Sequence, residues 1–288
     1  MCRLFGLSAA PHRVRATFWL LDAPDSLAQQ SHREPDGVGL GTFTAAGTPL
    51  VEKQPIAAYE DRLFAREARE RESETFIAHV RFASTGGLVP RNTHPFEQRG
   101  RLFAHNGVLH GLEELERELG DYRGLVHGDT DSERFFALIT QRIDQHGGDV
   151  TAGIADAVAW IADRLPVYAL NLILTTASEL WALRYPETHE LYVLERAAGG
   201  VRGDQRLDHG SGTGIRTRSG HLADHPAVVI ASERMDNDPG WRALASGELL
   251  HVTGRLDVRS SIIADSPPRH RLSLADLGTH AAASQTAR

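Results

Sequence analysis

An α+β fold built on mainly antiparallel sheet is what this sequence predicts, and three observations predict it. Short β-compatible runs alternate with helical ones over the first hundred residues. Three helical segments then follow one another between Leu112 and Leu165. The remainder, from Tyr168 to Ile263, is a series of short strand-like runs separated by turns, the spacing of hairpins in a large sheet.

Taken in order, Cys2–Leu7 is apolar and β-compatible, an opening strand with Cys2 at its tip. Val14–Leu21 and Ser26–His32 read as short helices, broken apart at Asp22-Ala23-Pro24-Asp25 by the proline. Glu34-Pro35-Asp36-Gly37 is a turn into a strand with glycines at alternate positions, where small residues let another backbone or a ligand approach closely; a plain Asp-Gly turn is the alternative. Thr48–Gln54 pairs with that strand as a hairpin. Glu60–Glu72 is a charged amphipathic helix with a solvated face. Thr75–Phe82 reads as a buried strand, Asn92–Phe96 as a loop, and Arg101–His105 as a further strand.

Leu112–Leu119 is helical, and a long helix opens at Gly128–Glu133 and runs to Ile143, with Thr130 or Asp131 placed to cap it. Gly153–Leu165 continues the helical layer. Strands follow at Tyr168–Thr176, Leu180–Arg184, Leu191–Glu195, Val228–Ala231, Leu249–Val252 and Val258–Ile263. Between them Gly199–Gly220 is polar and glycine-rich; Gly210-Ser211-Gly212-Thr213-Gly214 lacks the Lys-Ser/Thr of a phosphate loop, so the segment reads as a mobile loop. Residues 1–265 are expected to form one domain and 266–288 a C-terminal extension, frayed over its last ten residues.

Composition removes several classes of function. The chain of 288 residues is 41% hydrophobic and 24% charged, with a net charge of −7 and no basic stripe to meet a phosphate backbone, so a nucleic-acid partner is not expected. A single cysteine cannot form an internal disulfide, and no basic segment followed by an apolar run opens the chain. A cytoplasmic protein without a membrane partner is the expectation. Fifteen histidines are scattered without a Cys/His cluster, so no metal and no cofactor are expected.

The sole cysteine stands directly behind Met1. Removal of Met1 would leave a thiol and a free α-amine on one residue, and an amine of pKa roughly 7.7–8.0 is neutral often enough near pH 7 to activate the thiol. A small buried hydrophobe is the plainer reading of Cys2 alone. At the end of the Thr75–Phe82 strand, Arg81 beside hydroxyls and a glycine turn suits a carboxylate ligand, gripped by two parallel charge-assisted bonds, or an edge salt bridge. Asn106-Gly107 is the commonest hairpin signal, and equally a pair of donors for a developing oxyanion. Asp131 is an N-terminal helix acid or a carboxylate that holds an ammonium.

Four element ends thus carry a nucleophile with its own base, a carboxylate grip, two oxyanion donors and an ammonium ligand, which together describe a site for an α-amino acid with a side-chain amide. The order of the motifs resembles the class II glutamine amidotransferases, members of the N-terminal nucleophile hydrolases. Met1-Cys2 resembles their processed nucleophile and Pro35-Asp36-Gly37 their glycine turn. His79-Val80-Arg81-Phe82-Ala83-Ser84-Thr85-Gly86 is similar to their H-x-R-[WF]-A-[ST]-x-G signature. Asn92-Thr93-His94-Pro95, His105-Asn106-Gly107 and Thr130-Asp131-Ser132-Glu133 are similar to N-x-H-P, H-N-G and T-D-[ST]-E. Phe82 stands where many fused members carry Trp.

The resemblance implies a four-layer αββα sandwich, two mainly antiparallel sheets between helical layers, with Cys2 at the end of a central strand. It implies Cys2 as nucleophile and Asn106 with Gly107 as the oxyanion site. Arg81 would take the α-carboxylate and Asp131 the α-ammonium, with Phe82, Ser84, Thr85 and Gly86 lining the pocket. The motifs run from Met1 to about Ala137 and the later strands complete the same sandwich. No stretch fits a fused synthase, so the chain resembles the stand-alone branch, which includes the γ-glutamyl amide hydrolase of ergothioneine biosynthesis. The expected activity is hydrolysis of L-glutamine or another γ-glutamyl amide through a Cys2 thioester. A partner synthase or amine acceptor and a homo-oligomer are compatible with it. Two alternatives stay open: an N-terminal-cysteine amidase for a non-glutamyl amide, and a glutamine-binding regulatory subunit without turnover.

Overall fold

The structure, a computed structural model, describes residues 2–82, 87–198, 208–210, 216–218 and 224–286. Its strands are β1 (Arg3–Ser8), β2 (Gly37–Phe43), β3 (Pro49–Gln54), β4 (Thr75–Arg81), β5 (Phe96–Gln98), β6 (Arg101–Leu109), β7 (Pro166–Thr175) and β8 (Leu180–Arg184). They continue with β9 (Tyr192–Arg196), β10 (Asp208–Gly210), β11 (Arg216–Arg218), β12 (Ala227–Ala231), β13 (Arg242–Ala243), β14 (Glu248–Val252), β15 (Val258–Ile262) and β16 (His270–Arg271). The α-helices are α1 (Leu27–Gln30), α2 (Arg62–Glu70), α3 (Leu112–Leu119), α4 (Asp131–Gln145), α5 (Val150–Arg164) and α6 (Thr279–Thr286).

Two sheets carry the fold, one in the order β13-β9-β12-β1-β4-β2-β3, the other β15-β14-β8-β7-β6-β5 with β16 paired parallel to β7. All other pairings are antiparallel within the described residues. Alternation along each strand separates three main cores, beside a smaller cluster of Val108, Tyr168, Ala169 and Leu277. On β1, Phe5 and Leu7 face α1 and α2, while Leu4 faces the second sheet; on β4, Phe76, Ala78 and Val80 share the helical side and Ile77 the inter-sheet side. Leu102 and Ala104 of β6 meet Leu4 and Ile77 between the sheets, whereas Phe103 turns to α4 and α5 with Leu170, Leu172 and Leu174 of β7. Helix, sheet, sheet, helix is the resulting order of layers, as expected. β1 lies at the centre of its sheet, so the residue preceding Arg3 is delivered to the middle of the sandwich.

The helices that frame this end start on local chemistry. Asp61 accepts from the backbone N–H groups of Leu63 and Phe64 and caps α2; Thr130 accepts from Glu133 N–H and caps α4; Asp149 caps α5 through Ala152 N–H.

Several expectations are corrected. Val14–Leu21 is not a helix: Val14 exchanges two backbone hydrogen bonds with Ser73, and only Phe18–Asp22 coils, as a π-helical turn that buries Phe18, Trp19 and Leu20. Its apolar residues suit a helix, but pairing with the segment before β4 takes the backbone first. Arg101–His105 continues to Leu109, so Asn106-Gly107 lies within a strand and makes no hairpin turn. Gly107 pairs with Leu170 of β7, and a Cβ there would sit 1.8 Å from the Ala169 carbonyl oxygen. The C-terminal end expected to fray is helical over Thr279–Thr286, with Gln285 buried and bonded to His189 at 2.7 Å. Most of Gly199–Gly220 lies outside the described residues; within it β10 pairs with β11. The close approach expected at the alternate glycines is realised at Gly39, where a Cβ would sit 1.9 Å from the His94 carbonyl oxygen.

Candidate active site

At the mouth between the two sheets a small cavity is bounded by Cys2, Arg81, Phe82, Gly107 and Asp131, together with Asn92, His94, His105, Thr130 and Ser132. The pleat explains why these groups meet. Cys2 and Leu4 lie on the inter-sheet side of β1, Ile77, His79 and Arg81 on that of β4, and Leu102, Ala104 and Asn106 on that of β6.

Cys2 is 9% exposed. Its sulfur lies 3.3 Å from both the N–H and the carbonyl oxygen of Phe82, accepting from the first and donating to the second. Burial pushes the thiol up and the nearby Glu34 carboxylate adds to that; the Phe82 hydrogen bond and Arg81 act the other way. The site therefore holds a thiol that needs a base.

Asn106, fully enclosed, donates from Nδ2 to the Cys2 carbonyl oxygen at 3.0 Å. The oxyanion candidates thus stand directly against the nucleophile's own residue. Arg81 is 4% exposed and donates to the Gly87 carbonyl at 3.2 Å; burial lowers its pKa, and Cys2, Asp36 and Asp131 oppose the shift, which locates three acidic groups around one guanidinium. Asn92 binds the same Gly87 carbonyl and both accepts from and donates to Asp129, tying the loop after residue 86 to the start of α4.

Asp131 lies at the first position of α4. Its Oδ2 accepts from Leu109 N–H at 2.9 Å and its Oδ1 from Ser132 N–H at 2.9 Å, so the carboxyl group is fixed in place at a helix N-terminus on the cavity wall. Of the expected site, Cys2, Arg81, Phe82, Asn106, Gly107 and Asp131 are brought together. Ser84, Thr85 and Gly86 lie outside the described residues.

Histidine contributes more than the sequence reading assigned. His105 faces the helical layer, with Nδ1 3.0 Å from Ser132 Oγ and Nε2 3.2 Å from the Ala169 carbonyl oxygen, and so locks the strand bearing Asn106 and Gly107 to α4. His79 and His94 lie 4.2 Å apart between ring centroids with their planes tilted by 39°, and burial drives His79 down to about 3 and His94 well below its ordinary value. Their places within the H-x-R, N-x-H-P and H-N-G motifs were the available signal. Among the described residues no group of three or more His, Cys, Asp or Glu side chains is arranged to hold a metal ion, and no helix is long and apolar enough to cross a membrane.

Comparison with known proteins bears on this arrangement. The profile of the family "Glutamine amidotransferases class-II" matches residues 1–271. YafJ of Escherichia coli (strain K12) is 29% identical over 86% of this chain and 96% of its own length. The gamma-glutamyl-hercynylcysteine sulfoxide hydrolase of Mycobacterium tuberculosis is 27% identical over 88% of this chain and 93% of its own. Among solved structures, glutamine phosphoribosylpyrophosphate (PRPP) amidotransferase from B. subtilis superposes with a TM-score of 0.62 at 19% identity, over 92% of this chain and 50% of that one, a likeness of fold.

Proposed function

The chain belongs to the class II glutamine amidotransferases, and on that premise we propose that it hydrolyses the γ-amide of L-glutamine or of a γ-glutamyl compound through a thioester on Cys2. It is an enzyme with the N-terminal nucleophile fold. After Met1 removal the Cys2 α-amine takes the thiol proton, and the thiolate attacks the γ-carbonyl carbon. Asn106 Nδ2 and Gly107 N–H receive the oxyanion. The tetrahedral adduct collapses with loss of ammonia or an amine, which leaves carrying the proton from the α-ammonium. Water then hydrolyses the thioester. Arg81 grips the substrate α-carboxylate and Asp131 its α-ammonium.

The observation that supports this reading most is the convergence of Cys2, Arg81, Gly107 and Asp131 on one cavity, with Asn106 bonded to Cys2 behind it. A carboxylate grip and an ammonium ligand framing one thiol fit an α-amino acid better than a generic amide, and the retained thiol favours turnover over mere binding. The relative named as a gamma-glutamyl-hercynylcysteine sulfoxide hydrolase, matched nearly end to end, supports a γ-glutamyl amide larger than glutamine as a substrate. We place the enzyme in the cytoplasm, where its lone thiol stays reduced, and assign the freed ammonia, where glutamine is the substrate, to an acceptor on a partner protein.

Release of glutamate from L-glutamine by protein of confirmed N-terminal mass, beside Cys2→Ala, tests the proposal. Release that requires Cys2 supports it. Absence of release from both glutamine and γ-glutamyl amides by processed protein overturns it.

A further inference from the structure

One wall of the cavity carries a buried amide that the reaction above does not use. Asn92 is 0% exposed and lines the cavity with Cys2, Arg81 and Asp131. It closes a single helical turn, Pro90–Asn92, in which its N–H donates to the Val89 carbonyl and Thr93 N–H to the Pro90 carbonyl, each at 3.0 Å. The turn is packed down on the strands. A Cβ on Gly37 would lie 3.3 Å from Thr93 Cγ2 and 3.5 Å from Arg81 Cβ, so the residue after Asn92 and the carboxylate grip flank the same glycine of β2.

Every polar atom of the Asn92 side chain is engaged. Nδ2 donates to the Gly87 carbonyl at 3.2 Å and to Asp129 Oδ2 at 3.1 Å, and Oδ1 accepts from Asp129 N–H at 2.9 Å. The Gly87 carbonyl also accepts from Arg81 Nη1 at 3.2 Å, and the two lone pairs of a carbonyl oxygen allow both bonds at once. On the other side, Asp129 precedes Thr130, which caps α4, and Asp131, which opens it. Direct contacts therefore run from the guanidinium through Gly87, Asn92 and Asp129 to the start of α4. The Asn92 bond, ahead of Arg91, holds the Asp129 carboxyl below the usual carboxylate range and so keeps it an acceptor. Gly128 is a separate sign that the approach is built in: a Cβ there would lie 2.6 Å from Asn92 Oδ1 and 2.9 Å from the Arg91 carbonyl oxygen.

We propose that Asn92 is a positioning residue that sets the separation of Arg81 from Asp131, and so makes the cavity selective for ligands that carry both an α-carboxylate and an α-ammonium. The inference rests on the function proposed above. An α-amino acid bears those two groups on one carbon, so a grip at the end of β4 and a ligand at the start of α4 engage it together only at the right spacing. A misplacement of about 1 Å costs on the order of 10²-fold. No proton or electron pair passes through Asn92; it acts through Arg81 and Asp131.

The test reads binding without requiring turnover. Cys2 is the only cysteine in the chain, so its alkylation by iodoacetamide, followed by intact mass, reports on this cavity alone. The concentration that halves the alkylation rate measures binding of L-glutamate, which carries both groups, and of glutarate, which lacks the ammonium. Asn92→Ala is expected to weaken protection by L-glutamate roughly tenfold or more and protection by glutarate less, so that the preference between them falls. Without ligand its alkylation rate should stay within about twofold of native, since the thiol's own surroundings are kept. Added to Arg81→Lys, Asn92→Ala should cost little more, because it acts through that grip. Arg91→Ala, which removes only the exposed partner of Asp129 at 3.4 Å, is the control and should match native protein. Unchanged protection in Asn92→Ala overturns the inference, and so does an equal loss for L-glutamate and glutarate, the mark of a merely structural role. L-Glutamate that protects native protein, with the loss in Asn92→Ala, while no γ-glutamyl amide is hydrolysed overturns the function and leaves the spacing role standing. Failure of L-glutamate to protect native protein overturns the spacing role. If Asn92→Ala does not fold, Asp129→Ala decides, since it deletes one exposed acceptor of Asn92 and keeps the backbone N–H: protection by L-glutamate weakened about threefold, as for one lost hydrogen bond, supports the role, and native protection overturns it.

Discussion

Asn106 Nδ2 donates to the Cys2 carbonyl oxygen at 3.0 Å, a bond that joins the centre of one sheet to the inner face of the other across 104 residues of chain. It places an amide donor beside the thiol and fixes the strand end from which the thiol attacks. Because a side-chain amide carries two N–H groups, the bond to Cys2 leaves a second donor for the oxyanion. Asn106→Ala is expected to reduce kcat by about 10²–10³, the loss typical of one oxyanion donor, with KM for glutamine changed little. Steady-state glutamate release by a variant whose circular dichroism matches native protein checks this; normal turnover would remove Asn106 from the oxyanion site.

Arg81 separates binding from chemistry. Its guanidinium is buried and faces the acidic groups Cys2, Asp36 and Asp131, and an ammonium in its place keeps the charge but loses the planar two-point grip on a carboxylate. Arg81→Lys is expected to raise KM by roughly tenfold or more while kcat falls less, since the lost interaction is made in ground state and transition state alike. An unchanged KM would count against a carboxylate at this position.

How far such roles were legible varies with what decides them. Phe5, Leu7, Phe76 and Val80 alternate with residues of the opposite face, and that period alone gives β1 and β4. Asn106-Gly107 misleads, because the local preference of Asn-Gly for a hairpin turn yields to seven consecutive pairings of β6 with β7, from Leu102 to Val108. Glu34 misleads in the other direction: a charged residue between Arg and Pro reads as solvent-facing, and only the crossing of β1, the loop before β2 and the segment after β12 encloses it. Asp131 was legible twice over, as a helix-terminal acid and as a ligand, and the structure has it accept two backbone N–H groups while still lining the cavity.

Gly107 gives a test of stability that does not depend on chemistry. A methyl group there would meet the Ala169 carbonyl oxygen at 1.8 Å and His105 Nε2 at 2.6 Å, and backbone must move to admit it. Gly107→Ala is expected to destabilise the fold by about 3 kcal/mol, the upper end of overpacking costs, and to reduce activity as β6 shifts from Cys2. Gly124→Ala, where nothing lies within 4 Å, is the control and should stay within about 0.5 kcal/mol of native in urea unfolding. Equal stabilities of the two variants would contradict the register of β6 on β7.

The buried histidines set an acid limit on the fold. Burial lowers His79 to about 3 and His189 to about 4, and also lowers His94 and His105. His79, His94 and His189 are neutral in the folded protein near pH 6, while in the unfolded chain each takes up a proton as pH falls through about 6.5. Between those two values the unfolded state binds more protons, so unfolding free energy rises with pH and is lost on acidification, by up to about 1.4 kcal/mol per pH unit for each histidine. Carboxylates with lowered pKa values add their own loss only nearer pH 4, so the interval from pH 7 to pH 5 belongs mainly to the imidazoles. Urea midpoints measured at pH 7, 6 and 5 are expected to fall with increasing steepness while the m-value stays constant. A flat midpoint across that interval would mean that these rings are protonated, or open to water, in the folded protein. It would also disturb the site, because His94 and His105 line the cavity that holds Cys2, and a charge on either ring would repel Arg81 and draw the thiolate away from its substrate.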